Sequence, residues 1–123
     1  MTAIVYRGEE LEVLPAMSFL QKLVRRLEDL GRCENGSEEH LTERTSLALD
    51  ARALRLAIEA RLDEEHADNL RRYPSTYGQR TAMTLYWTTL AVLATVAAPL
   101  DLACAEVARD YVSAKQGAGE FVQ

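Results

Sequence analysis

Three titratable side chains fall along one side of a single helical stretch: Glu59, Asp63 and His66, spaced by four and then three residues. Carboxylates and an imidazole one turn apart are donor types that bind divalent metals. Bundles that hold two irons place a Glu-x-x-His pair on each of two helices, with two further inward glutamates. Here the pair is Asp-x-x-His and occurs once; the other histidine stands in reverse order, His40-x-x-Glu43. Neither neighbouring helix offers an inward acid at the centre of its apolar seam. A solvated row of i, i+4 charges accounts for the spacing more simply, so no metal is expected.

Cys33 with His40 seven residues on supplies the types of a nucleophile and a base. A short polar turn gives them no desolvated pocket and no third orienting group. No catalytic residue and no cofactor are assigned, and the chain reads as a non-enzyme.

A denser cluster lies just downstream. Tyr73, Tyr77, Tyr86 and Trp87 gather with Arg71, Arg72 and Arg80 around one turn. Aromatic residues and arginine are enriched where proteins bind each other. The plainer account has Tyr86 and Trp87 packing the end of a bundle while arginine stems cover it. These seven residues are the candidate partner-binding surface.

The element that must position them is Thr81–Leu100, twenty residues without a charge in a chain of 123 in which 27% are charged. Met83, Tyr86, Leu90, Leu93, Ala97, Leu100, Cys104, Val107 and Tyr111 recur at steps of three and four. That is a heptad seam, and its phase runs unbroken through Pro99. One long helix over about Thr81–Lys115 follows, bent by Pro99 near Thr95–Ala98. A second row holds small residues: Thr84, Thr88, Ala91, Thr95 and Ala98, continued by Leu102 and Ala105. Small side chains let another helix axis come close, so Thr84, Thr88, Ala91, Thr95 and Ala98 are the candidate oligomer seam.

A helix apolar around most of its circumference is buried on most sides or sits in lipid. The run reaches the length of a membrane span, with arginines before it and Tyr86 and Trp87 near one end. Its five threonines and five alanines make it only mildly hydrophobic, the overall mean hydropathy is -0.17, and the seam continues beyond Asp101. Burial in protein is the preferred reading; a marginal membrane span is the alternative.

Upstream, Ala3–Tyr6 is prone to extended structure but has no evident partner strand, so residues 1–8 read as an arm. A first helix starts near Glu9 or at Pro15, buries Met17, Leu20, Val24 and Leu27, and stops at Gly31. Asn35-Gly36 marks a turn, and Ser37 caps a second helix that meets no proline or glycine before Pro74. That helix carries two apolar seams: Leu47, Ala51, Leu54, Ile58 and Leu62, then Leu49, Ala53, Leu56, Ala60 and Ala67. Two seams imply contact with two other helices, which makes it the middle element. Ser75 or Thr76 can cap the third helix, and residues 116–123 form a loose tail.

The expected fold is therefore all-α: one domain over residues 1–123, an antiparallel bundle of three or four helices that dimerises through the uncovered small-residue face. Net charge is -5 with arginines interleaved among acids, which disfavours nucleic acid as a partner. Two cysteines cannot make a disulfide framework, and the first fifteen residues carry acids where a signal peptide needs an apolar core, so a cytoplasmic location is expected. Twelve arginines against two lysines suggest a GC-rich bacterial or phage genome. An interaction module with a protein partner, or with a second copy of itself, is the function expected; a ligand-binding bundle is a further alternative.

Overall fold

The computed structural model describes residues 3–32, 38–79 and 81–117. Two short strands, β1 (Ile4–Tyr6) and β2 (Glu9–Leu11), precede three helices: α1 (Val13–Arg32), α2 (Glu38–Arg72) and α3 (Thr81–Gly117). The chain is mostly helical, and each helix packs against both others. Arg44 meets Asp110, Arg55 meets Asp101 and Tyr86 meets Asp63, so α2 and α3 run antiparallel.

The N-terminal strand does have a partner. Ile4 pairs with Leu11 and Tyr6 with Glu9 across a two-residue connection, Arg7-Gly8. Both connecting residues have positive φ, 52° and 81°, the signature of a type I′ turn whose twist suits a hairpin. A lone two-stranded hairpin is marginal in water. What holds this one is Ile4, fully buried in the core where β1 packs on α2.

α1 begins at Val13 and carries Pro15 in its first turn, where backbone N–H groups have no intrahelical acceptor. Its inner stripe is Ala16, Met17, Leu20, Leu23, Val24 and Leu27. Gly31 does not stop the helix, which continues to Arg32. The expected turn at Asn35-Gly36, the cap at Ser37 and Cys33 all lie outside the described residues, as does most of the tail.

α2 is continuous over 35 residues, about 52 Å at 1.5 Å per residue. Its first seam is the buried one, with Ala51, Leu54, Ile58 and Leu62 in the core. The second seam corrects the expectation: Leu49, Ala53, Leu56, Ala60 and Ala67 are all exposed. α1 and α3 share one side of α2 rather than taking one seam each. Pro74 follows the last helical turn, and a turn over Tyr73–Thr76 plus one turn of 3-10 helix at Tyr77–Gln79 separate α2 from α3, so Ser75 and Thr76 do not cap it.

α3 runs through Pro99 without interruption. The heptad stripe faces inward, with Leu93, Ala97, Leu100 and Val107 buried and Tyr86, Leu90 and Cys104 half-buried; Tyr111, at its end, is exposed. Burial raises the pKa of the Cys104 thiol, which behaves there as a small apolar side chain. The opposite face is open. Thr84, Thr88, Ala91, Thr95 and Ala98 are all exposed, together with Leu85, Val92 and Leu102. The most apolar 18-residue window of α3 has a mean hydropathy of 1.8 yet is only 28% buried. The run is therefore covered along one stripe, not on most sides as its composition suggested.

Candidate functional site

The chain reverses direction between α2 and α3 through backbone bonds at Tyr73, whose carbonyl accepts from the amides of Thr76 and Tyr77 at 3.3 and 2.9 Å. The reversal drives Tyr77 back under the end of α2, where its ring is 1% exposed. A buried phenol requires a partner for its hydroxyl. His66 supplies it: the Tyr77 oxygen lies 2.7 Å from Nδ1, and with the ring proton on Nε2 the phenol O–H donates to that nitrogen.

The other face of the site comes from α3. Tyr86 stacks on His66 with ring centroids 3.9 Å apart and planes inclined by 7°. Trp87 meets both rings edge-on, at 5.8 Å from His66 and 5.0 Å from Tyr86. The Tyr86 hydroxyl donates to Asp63 Oδ1 at 2.8 Å. Burial, and then the bond to Asp63 and its charge, push the pKa of that hydroxyl up to about 12. The two ends of the helix pair are thus joined by four aromatic rings and two side-chain hydrogen bonds.

Asp63 and His66, read from sequence as part of a charged row, are both engaged by tyrosines. Glu59, the third member, accepts from Arg55 Nε at 3.1 Å. Among the described residues no three histidine, cysteine or carboxylate side chains converge on one point. Of the seven expected surface residues, Tyr77, Tyr86 and Trp87 come together, Tyr77 as a core residue rather than a surface one. Arg71 and Arg72 turn instead to Asp68 on their own helix, Arg72 at 3.2 Å. Tyr73 stands at the end of α2, exposed, and Arg80 lies outside the described residues.

The residue that sequence reasoning missed as the centre is His66. Its signal is position: one turn beyond the core residue Leu62, it sits on the flank of the α2 stripe that turns toward α3. Beside the cluster is a cleft of about 240 Å³ between α1, α2 and α3. Val13, Leu14, Leu62 and Leu85 form its apolar walls, and Glu65, His66 and Asn69 line its polar side.

At the opposite end of the bundle, His40 is buried and its Nε2–H donates to the Leu30 carbonyl at 2.9 Å, satisfying one of the unpaired carbonyls that end α1. No protein-family model matches the chain, and no curated protein or solved structure matches it either.

Proposed function

We propose that this chain is a non-enzymatic helical interaction module that acts as a homodimer, closing the outer face of α3 on a second copy. The observation that carries the reading is the open face itself: small and apolar residues exposed from Thr84 to Leu102 on a helix whose most apolar window is 28% buried. Contiguous apolar surface of that kind marks an interaction site. A two-fold axis at Thr95 would set Ala91 against Ala98, small on small, and Thr88 against Leu102, small on large, a self-complementary arrangement. The Thr95 hydroxyl already donates to the Ala91 carbonyl at 3.0 Å, so it can enter such a seam without an outside partner. Pro99 has no N–H for the Thr95 carbonyl, and a bend there would let the two helices follow each other. The exposed Tyr73, Trp87, Arg71 and Arg72 at the α2–α3 turn remain the surface for a protein partner, in the cytoplasm; the net charge of -5 argues against nucleic acid.

One test is light scattering coupled to size exclusion on detergent-free protein. A sharp dimer that becomes a folded monomer in Thr95→Arg supports the reading; a monomer at every concentration overturns it. The same open window favours a second reading, insertion of Thr81–Leu100 into a bilayer. Aggregation relieved only by detergent, with co-sedimentation on lipid vesicles, would select that reading instead.

A further inference from the structure

We infer that the outer face of α2 is a further interface, covered by the same face of a second copy of this chain lying antiparallel to it. Leu49, Ala53, Leu56, Ala60, Asp63 and Ala67 recur there at steps of four and three, all exposed, Leu49 at 63% and Leu56 at 56%. That is the spacing of a coiled-coil seam, with alanine at every seventh position. α1 and α3 pack on the other side of α2, and the hairpin borders the seam only at Ala53.

Size and charge along the seam select the occupant and its register. Antiparallel pairing sets Ala53 against Leu56, Ala60 against Leu49 and Ser46 against Asp63, each contact made twice by symmetry. Small stands on large, and the one carboxylate in the seam meets a hydroxyl that can donate to it. Arg52 and Glu59 flank the seam on one side, and the same register brings Arg52 of each copy beside Glu59 of the other. Arg52 is exposed and forms no ion pair with the described residues; Glu59 accepts from Arg55 through Oε1 and keeps Oε2 for another donor. Competing arrangements bring like charges together, which costs affinity. Parallel pairing sets Asp63 against Asp63 and Glu59 beside Glu64. An antiparallel slip of one heptad sets Glu59 against Glu59 in one direction and Arg52 against Arg52 in the other. With a carboxylate in its seam and only Leu49 and Leu56 as large apolar contacts, this face is weaker than that of α3 and closes at higher protein concentration.

Light scattering over a concentration series would be run on the full chain carrying Thr95→Arg, which blocks the α3 face and leaves α2 to be read alone. Expected is a folded monomer in dilute protein that becomes a dimer by about 1 mM. Arg52→Glu and Glu59→Arg should each weaken association about tenfold, and the two together should restore it to within about threefold. Seven residues apart on one helix, the pair does not meet within a chain, so rescue reports contact between copies. Ala60→Arg should abolish the dimer with the helical circular dichroism intact. No dimer by about 1 mM overturns the proposal. So does a dimer unmoved by Ala60→Arg, or a charge-swapped variant no better than either single change. Should Thr95→Arg not fold, the same variants of the otherwise wild-type chain are judged by the same criteria on the next doubling of mass. With the α3 face blocked, failure of the α3 dimer leaves this outcome untouched.

Discussion

The imidazole of His66 lies flat on the phenol ring of Tyr86, 3.9 Å between centroids, while its Nδ1 is bonded to the hydroxyl of Tyr77. One side chain of α2 thereby holds both the segment that leaves the helix and the helix that returns. Aliphatic packing would leave the angle of that return loosely set; stacked rings and directed bonds fix it.

His66→Phe keeps a ring against Tyr86 but leaves the buried Tyr77 hydroxyl without its acceptor. We expect a loss of about 1–3 kcal/mol, the usual penalty for a buried polar group deprived of its partner. Tyr77→Phe added to it should recover a large part of that loss, because both partners are then apolar. Urea unfolding of the four members of the cycle measures the coupling.

Tyr86 should give the fold an alkaline limit. Its hydroxyl holds its proton more tightly when folded, up to about 12 against 10.0 for a free phenol. Below pH 10 both folded and unfolded chains are protonated and the contribution is complete. Between 10 and 12 the unfolded chain ionises first, so stability falls as pH rises. Thermal melts across this range should show a shallower decline in Tyr86→Phe, and a phenolate absorbance step near pH 12 should vanish.

Arg44 and Asp110 should respond unequally. The Arg44 side chain is 11% exposed and donates to Asp110 at 2.8 Å, while its own Nε has no partner. Asp110→Asn strands a buried guanidinium and should cost about 1–3 kcal/mol. Arg44→Met removes the buried charge together with its unmet donor, and we expect denaturation at or above the wild-type urea midpoint.

The two faces of the α2–α3 pair should differ in the same assay. Leu93, 1% exposed, sits in the core, and Leu93→Ala should cost about 2–5 kcal/mol. Leu93→Asp should unfold the bundle by circular dichroism. Leu56, at 56% exposure, is the contrast: Leu56→Ala in dilute protein should change stability by no more than about 0.5 kcal/mol.

Arg7 occupies a position that favours asparagine. It has φ of 52° ahead of Gly8, and a type I′ turn prefers Asn-Gly. Arg7→Asn should raise the melting temperature slightly, offset in part by loss of the guanidinium lying 5.3 Å from the Tyr6 ring centroid. Gly8→Ala should lower it by strain alone, since no atom lies within 4 Å of the added methyl.

Periodicity made the helices legible, together with the inward stripe of α3 from Leu93 to Val107. Periodicity reports which residues are apolar, not what covers them. Hence Leu49 and Leu56 were read as a second packing seam although they face outward. The hairpin escaped because Arg7 is not a residue whose type announces positive φ. His66 escaped for a related reason: spacing put it in line with Glu59 and Asp63, and nothing local says whether such a row meets water or the rings of another helix. Arg71 and Arg72 are exposed as their sequence suggested, but their pairing with Asp68, three and four residues back, was not read from it.

The burial of Ile4 has a bearing on synthesis. β1 leaves the ribosome before α2, and the part of α2 it packs on, around Leu54, is made about fifty residues later. At bacterial or eukaryotic elongation speeds the hairpin therefore waits roughly 3–10 s for its cover. A two-stranded hairpin alone is marginal in water, so its register is secured only when α2 emerges and covers Ile4.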